Sequence, residues 1–409
     1  MTPSLTPPVK KGARVCDGPL YAHIASYRAK LEDLGYKPET VLDHLRLFAK
    51  FDLWLLRRRR RLWRLNEEDA DRFLKHLHTR HHRFRSALRL VLKLLRDVGA
   101  IAPKSKSTAS SPAQRLVNEY RVFLKEERGL DRATICNYSR HIDGFLNDHF
   151  GAGRVNLRAL GGLEITSFVR RQATRHARGW AAQMVTGLRS FFRFAQFKGL
   201  IASDLAAVVP PVANWTMTGL PKYLSTEAVQ RVLGSCERAT VRGKRDYAIL
   251  LMLARLGLRG GEIVTLQLDD IDWASAEIAI RSKKGDGWAR LPLLVDVGQA
   301  LAGYLAVRPS SAHRNVFVRD YAPYTPFVAS GAVSNLVKKA IERAGVKSVR
   351  KGAHVFRHTL ATEMLRRGAS LTEIGRVLRH RDPNSTMIYA KVDLGALREL
   401  ALPWPGGVR

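Results

Sequence analysis

The chain has 409 residues and a formal net charge of +33, because its 69 lysines and arginines outnumber its 36 aspartates and glutamates. A charge this large favours a polyanionic partner, whether DNA, RNA or an acidic membrane surface. The hydrophobic fraction of 45% is ample for packed cores, and the length predicts two to three domains. No apolar run reaches the roughly 18 residues that a membrane span requires, which excludes a membrane-spanning protein.

The N-terminal residues contain threonine, proline and lysine without the apolar core of a signal peptide. Three cysteines, Cys16, Cys136 and Cys236, lie far apart and form no motif. Free thiols without a pairing or ligand pattern are typical of a reducing compartment. We therefore expect a cytoplasmic protein without a membrane partner.

Two linkers divide the chain. A polar stretch over 103–113 and a proline-containing stretch over 208–221 separate segments with helical periodicity. The third segment opens with a helix start at 223–227, where Ser225 is the predicted N-cap. The predicted organisation is a helical domain over 1–103, a linker over 104–112, a second helical domain over 113–212, a linker over 213–222 and a C-terminal domain over 223–409.

The two helical segments resemble each other. The matches at offsets near 94 and at 100 are Thr40, Arg46 and Phe51 with Thr134, Arg140 and Phe145, and 99–101 with 199–201. Such an internal repeat predicts two copies of one helical module. Chance similarity between two amphipathic bundles is the alternative. The basic runs at 57–61 and 170–178 fit either a solvated face or a stripe that contacts phosphates.

The first candidate site residue of the C-terminal segment is Arg259, which lies in the run Gly-Leu-Arg-Gly-Gly-Glu that ends at Glu262. The apolar residues at 278–280 then predict a short β-strand. Residues 284–287, Lys-Gly-Asp-Gly, predict a tight turn, and 290–293 predict the start of the return strand.

The most informative residues come last: His354, Arg357, His380 and Tyr389 lie within 36 residues of one another. A tyrosine is a poor nucleophile at neutral pH because its unperturbed pKa is about 10. It can act as a nucleophile where arginines neutralise the charge of a phosphodiester and other groups accept the tyrosine proton. This combination of residue types indicates cleavage of a nucleic-acid strand.

These motifs resemble the tyrosine recombinase (phage integrase) family. That family has His-x-x-Arg-His, then a helix, then Leu-Gly-His, then a tyrosine nine residues later, which is the spacing from His380 to Tyr389. Its lysine precedes a Pro-Leu pair by eight residues, which selects Lys284 over Lys283. Leu256 and Arg379 depart from the usual threonine and glycine.

The resemblance implies a mainly α protein with a small antiparallel β-sheet in the catalytic domain, preceded by tandem helical SAM-like DNA-binding domains. The second helical domain corresponds to the core-binding domain of the family, and the first would be an additional module for DNA or protein contacts. It also implies a site-specific recombinase that acts through a 3′-phosphotyrosyl intermediate in integration, excision or transposition of a mobile element. The implied partner is double-stranded DNA, bound by a homo-tetramer on paired sites or by a hetero-assembly with related recombinases, and hence a location at the nucleoid.

The resemblance also implies a role for each site residue. Arg259, Arg357 and His380 would bind the phosphate, and Glu262 would brace Arg259. His354 would accept the proton of the nucleophile Tyr389, and Lys284 would protonate the departing 5′ oxygen. We expect no cofactor and no metal, since the sequence shows no cluster with metal-ligand spacing. Two alternatives are a catalytically silent DNA-binding protein on the same scaffold and a type IB topoisomerase-like enzyme.

Overall fold

The computed structural model describes residues 18–77, 82–103, 111–212, 222–281, 287–348 and 351–392. These residues are mainly helical and include one small antiparallel sheet, so the predicted fold class is confirmed. The helices are α1 (Ile24–Asp33), α2 (Pro38–Arg57), α3 (Glu67–His76), α4 (His82–Asp97), α5 (Pro112–Glu126), α6 (Arg132–Phe150), α7 (Gly162–Arg175), α8 (Arg178–Phe197), α9 (Leu205–Val208), α10 (Thr226–Gly234), α11 (Val241–Leu256), α12 (Gly260–Thr265), α13 (Val295–Leu305), α14 (Ser330–Arg343), α15 (His354–Arg366), α16 (Leu371–Val377) and α17 (Asn384–Met387).

The N-terminal helices α1 to α4 surround one apolar core. Tyr27, Phe51 and Leu95 have no exposed surface, and Phe51 packs against Phe73 with ring centroids 4.9 Å apart. Helix α3 begins at a capping box, in which Asn66 and Asp69 satisfy each other's backbone N–H groups. The apolar positions recur at helical spacing, which is why these segments fold as amphipathic helices.

Helices α5 to α9 surround a second core, rich in aromatic side chains. Tyr120 meets Phe191 edge to face, with ring centroids 5.4 Å apart, and Phe145 meets Phe168 in the same way at 5.1 Å. Helix α5 has Pro112 in its first turn, where the missing N–H costs nothing. By its contacts the chain divides into two compact units, one formed by 1–103 with 219–409 and the other by 104–218.

The C-terminal segment builds its own core around α11, a helix with buried residues on nearly all sides. Its first helix, α10, is capped by the Ser225 hydroxyl, which accepts a hydrogen bond from the Ala228 N–H at 3.2 Å, as the sequence predicted. The three strands are β1 (Ile271–Asp272), β2 (Glu277–Arg281) and β3 (Trp288–Pro292), in the antiparallel order β1-β2-β3.

The predicted hairpin is confirmed in its strands. Ile278 pairs with Leu291 and Ala279 pairs with Arg290. The return strand begins at Trp288, two residues earlier than predicted, because Trp288 pairs with Arg281. Of the turn predicted at 284–287, only its last residue, Gly287, belongs to the described residues. Within the described part of the chain, none of the helices combines the length and the apolar character needed to cross a membrane.

Candidate active site

A left-handed glycine at the end of α11 sets the geometry of the site. Gly257 has φ +56°, and a Cβ atom added there would lie 2.8 Å from a methyl carbon of Leu378 and 2.9 Å from one of Leu360. Both the backbone conformation and the available space therefore require glycine. The bend turns the chain so that Arg259 becomes the N-cap residue of α12.

The carboxylate of Glu262 joins two arginines. Its Oε1 accepts from Arg259 Nη1 at 2.8 Å, and its Oε2 accepts from the Arg259 backbone N–H at 2.8 Å and from Arg379 Nη2 at 3.0 Å. Burial alone would raise the pKa of Glu262, but Arg379 and Arg259 together hold it below its usual value. The carboxylate therefore stays ionised and fixes both guanidinium groups, as the sequence predicted for Arg259.

Arg357 lies on the first turn of α15 and is 4% exposed. Its Nη1 donates to the Gly257 carbonyl at 2.5 Å, and its Nη2 donates to the Leu378 carbonyl. Burial, followed by the charges of Arg259 and Arg379, lowers the pKa of Arg357 to about 10. Its guanidinium is still protonated at neutral pH, so a buried positive charge is held in place by two backbone carbonyls.

Arg379 stands where the family pattern has glycine, and the structure shows what the exchange does. Its φ is +56°, a left-handed conformation that costs a residue with a side chain about 1–2 kcal/mol. The carbonyl of Arg379 accepts from Arg259 Nη2 at 3.0 Å, while its own side chain, 13% exposed, reaches Glu262. The turn before His380 is therefore formed, and it brings a third arginine into the site.

His380 follows that turn. Its Nδ1 lies 2.6 Å from Thr386 Oγ1, and its ring is nearly parallel to that of Tyr389, with centroids 6.5 Å apart. Burial, followed by the charges of Arg357 and Arg259, lowers the pKa of His380 to about 4. At neutral pH this histidine is uncharged and can donate one hydrogen bond through whichever ring nitrogen carries its proton.

Tyr389 is buried, with 2% of its surface exposed, among Ala361, Ile374 and Leu378. Its hydroxyl lies 3.0 Å from His358 Nδ1, and this burial raises the pKa of Tyr389. His358 was quoted in the sequence motif but received no role there. The signal that could have found it is its position one helical turn after His354, on the same face of α15.

The predicted residues therefore fall into three groups. Arg259, Arg357, His380 and Tyr389 are linked by direct contacts or by neighbouring backbone carbonyls. His354 is exposed at the start of α15, the helix that carries Arg357. Lys284 lies outside the described residues.

The arrangement is an anion site. Burial and the charges of Arg259 and Arg379 lower the pKa of Arg357. The nearby Glu262 carboxylate, which binds Arg259 and Arg379, is their single acidic partner within the described ranges. An excess of planar donors over carboxylates suits the non-bridging oxygens of a phosphodiester. Among the described residues, no three histidine, cysteine or carboxylate side chains cluster as ligands of a metal ion would.

Comparison with known proteins shows the family of this chain. The sequence profile described as the phage integrase family matches residues 222–394. The chain is 43% identical over 400 residues to the integrase/recombinase y4rA of Sinorhizobium fredii, which covers 96% of this chain and 97% of that protein.

Solved structures of known recombinases share the fold, and two of them serve as examples. One is the XerH site-specific recombinase bound to a palindromic difH substrate in a post-cleavage complex, with a TM-score of 0.55 and 17% identity, covering 69% of this chain and 83% of that one. The other is a lambda integrase tetramer bound to a Holliday junction, with a TM-score of 0.52 and 15% identity, covering 73% of this chain and 88% of that one.

The chain belongs to the phage integrase family, the tyrosine recombinases. It is an enzyme of site-specific recombination, a DNA strand transferase. Of the residues that resemble the motifs of the family, Arg259 and Arg357 are those that the fold brings to Glu262 and Gly257.

Proposed function

We propose that this recombinase cuts and rejoins DNA strands through a covalent 3′-phosphotyrosyl intermediate on Tyr389. The observation that carries the proposal is that the fold brings two fixed arginines close to a histidine stacked on the tyrosine. Arg259 is held by Glu262, Arg357 by the Gly257 and Leu378 carbonyls, and the ring of His380 lies parallel to that of Tyr389. A tyrosine with this neighbourhood has the means to attack a phosphodiester, because the charges that the transition state needs are already in place.

The phosphate is held by donors fixed before it arrives. Arg259 and Arg357 are the donors to its non-bridging oxygens, with their guanidinium planes oriented by Glu262 and by the Gly257 and Leu378 carbonyls. His380 donates as a neutral ring, since its pKa is lowered to about 4 by burial and then by Arg357. Preorganised donors of this kind lower the barrier because they need no rearrangement when charge develops on the phosphate.

In the cleavage step Tyr389 Oη forms a bond to phosphorus, and the bond from phosphorus to the 5′ oxygen breaks. The tyrosine proton passes to a histidine, and the 5′ oxygen takes a proton from Lys284. The energy of the phosphodiester is retained in the phosphotyrosyl bond, so that a 5′ hydroxyl of another strand can reverse the reaction without a nucleotide cofactor.

Two histidines compete for the tyrosine proton. The resemblance favours His354, whereas the contact of 3.0 Å favours His358. We propose His354 for the attacking state, because Tyr389 is buried against His358 here and its hydroxyl must become exposed before it can reach a phosphate. In the arrangement described, His358 holds the nucleophile.

The partner that fits this chemistry is double-stranded DNA. A net charge of +33 supports a polyanionic substrate. The structures that share the fold include a recombinase bound to its difH substrate and an integrase tetramer bound to a Holliday junction. We propose that this chain also works as a tetramer on paired sites, formed by one protein or together with related recombinases, at the nucleoid.

The biological role that we propose is integration, excision or transposition of a mobile element. It is supported by 43% identity along almost the whole chain to a protein called an integrase/recombinase. The competing possibilities are a catalytically silent DNA-binding protein and a type IB topoisomerase-like enzyme. A covalent protein–DNA adduct would exclude the silent DNA-binding protein. Strand exchange between two duplexes would distinguish a recombinase from the topoisomerase-like enzyme.

The test is incubation of the full chain with nicked duplexes made from the DNA that flanks its gene. Cleavage near the nick releases a short strand with a 5′ hydroxyl, which diffuses away. The covalent adduct then accumulates, because the strand that would reverse the reaction is gone. Wild-type protein is expected to give an adduct that survives denaturing electrophoresis. Tyr389→Phe should bind the same DNA and give none, whereas Tyr321→Phe, the same change at an exposed tyrosine, should react normally. An adduct formed by Tyr389→Phe would remove Tyr389 from the proposal.

A further inference from the structure

The first two helical segments share internal details beyond the amphipathic pattern of their helices. Tyr27 of α1 has no exposed surface, and its hydroxyl lies 3.4 Å from the Ala87 carbonyl of α4. Tyr120 of α5 is equally buried, and its hydroxyl lies 3.5 Å from the Gly187 carbonyl of α8. The same buried tyrosine therefore joins the first helix to the last long helix in both segments.

The segments also end in the same turn. After α4, Gly99 has φ +71° and the Ala100 N–H donates to the Leu95 carbonyl at 2.8 Å. After α8, Gly199 has φ +68° and the equivalent bond, from Leu200 to Ala195, is also 2.8 Å. The next residues, Ile101 and Ile201, each close the core at 4% exposure.

A third shared detail precedes α3 and α7. A short 3₁₀ turn leads into each helix. In both, the carboxylate of the third helical residue accepts a hydrogen bond from the backbone N–H of the N-cap residue, which immediately precedes the helix. The distances are 3.3 Å from Asn66 to Asp69 and 3.0 Å from Gly161 to Glu164. Three independent local structures thus recur in the same order along the chain.

We propose that residues 18–103 are a second copy of the helical module at 111–212 and bind the phosphate backbone of duplex DNA outside the cleavage site. This inference rests on the proposed function, in which the chain acts on double-stranded DNA. The first copy is slightly more basic than the second, because residues 18–103 contain 19 lysines and arginines against 10 aspartates and glutamates, whereas residues 111–212 contain 15 against 8.

Cations recur at matching positions of the two copies. The pairs are Arg46 with Arg140, Arg89 with Arg189, and Lys93 with Arg193. Arg89 and Lys93 are exposed one helical turn apart on α4, so that they project from one face. Both members of the pairs Arg46–Arg140 and Lys93–Arg193 are exposed, where packing does not require charge, so its recurrence there points to a shared polyanionic ligand. Arg189 differs, because it is half-buried and donates to the Val209 carbonyl at 2.9 Å.

The first copy adds a cationic loop after α2. Arg57, Arg58, Arg59 and Arg61 are exposed there, whereas Arg60 pairs with the buried Asp69 at 3.0 Å and anchors the loop. The Arg58 guanidinium lies 4.7 Å from the centre of the Trp54 ring, which stiffens its side chain. Fixed, exposed guanidinium groups are the usual partners of a DNA backbone.

The experiment uses the full chain and two double variants, Arg89→Gln with Lys93→Gln and Arg57→Gln with Arg59→Gln. The control is Lys30→Gln with Lys37→Gln, which removes two charges from the same domain outside both the exposed face of α4 and the cationic loop after α2. Affinity is measured against salt concentration for a short duplex carrying only the core site and for a long duplex with flanking DNA. Each lost phosphate contact lowers the slope of log affinity against log salt by about 0.9.

We expect both test variants to bind the long duplex more weakly, with a slope shallower by about 1 to 2, and the control to match the wild type. All variants should still form the Tyr389 adduct on the short duplex, so that a failure of the proposed function would be seen separately. Wild-type affinity and slope on the long duplex would overturn the inference. Loss of pairing between two bound duplexes with unchanged DNA affinity would overturn it too, because it would assign the domain to protein assembly.

Discussion

Among single residues, Glu262 organises the site, because its one carboxylate is shared by Arg259 and Arg379. Without Arg379, Glu262 would cancel the charge of Arg259 alone. With Arg379 present, the three residues together retain one positive charge beside Arg357. Arg379 therefore acts as a positioning residue, because it lets Glu262 hold Arg259 without neutralising it.

Arg379→Gly is expected to lower single-turnover cleavage about tenfold, in line with the roughly 1.5–3 kcal/mol of a hydrogen bond to a charged group. The fold should persist, because glycine accepts φ +56° more readily than arginine does. Arg379→Lys should recover part of the rate through its charge. The control is Arg376→Ala, an exposed arginine on the preceding helix. A wild-type rate in Arg379→Gly would contradict this role.

His380 should be neutral throughout the physiological range. Its pKa is lowered to about 4 by burial and then by Arg357, whereas an unfolded histidine has a pKa of about 6.5. The unfolded chain takes up the proton first, so the contribution of this residue to stability declines as the pH falls from about 6.5 towards 4. In ¹³C-histidine NMR spectra, the signal missing from His380→Gln should not titrate above pH 5. A midpoint near 6.5 would disprove the neutral assignment.

The two histidines of α15 can be separated by their effects on the nucleophile. His354→Gln should slow cleavage strongly and leave the environment of Tyr389 unchanged. His358→Gln should remove the 3.0 Å contact and change the fluorescence and hydrogen-exchange protection around Tyr389, with a smaller loss of rate. The reverse ranking of cleavage rates would assign the tyrosine proton to His358.

Among the helices and strands, the sequence predicted the features that depend on neighbouring residues in the chain. The β-propensity of residues 278–280 predicted β2, and Ser225 predicted the start of α10. The ion pair between Arg259 and Glu262 is the brace that the resemblance to the family implied. The carbonyls of Gly257 and Leu378 that hold Arg357 could not be predicted, since their partners are 100 and 21 residues away and meet only through tertiary packing.

The hairpin of β2 and β3 gives a test of Lys284. A general acid matters in proportion to how poor the leaving group is, and a 5′-sulfur leaving group needs no proton. Lys284→Ala should be slow on ordinary DNA and nearly normal on a 5′-phosphorothiolate substrate. The neighbouring Lys283→Ala is the matched control and should be mildly affected on both. An equal defect of Lys284→Ala on the two substrates would refute proton donation.

For the whole molecule, charge and repetition were both visible in the sequence, but only the structure shows how closely the copies agree. The offset of the repeat drifts from 93 residues at Tyr27 and Tyr120 to 100 at Gly99 and Gly199. Loop insertions cause that drift, and a single offset would therefore miss half of the matches. The buried tyrosine bonds and the terminal glycine turns are conserved between the copies because they close the core, which insertions in loops leave intact.

The central claim is that Tyr389 becomes covalently bound to the 3′ phosphate of a cleaved strand. The most direct measurement is mass spectrometry of the trapped protein–DNA adduct after digestion with nuclease and protease, together with end-group analysis of the released strand. The account predicts a nucleotide attached through its 3′ phosphate to the peptide that contains Tyr389, and a free 5′ hydroxyl on the released strand. Attachment to another residue, or through a 5′ phosphate, would contradict it.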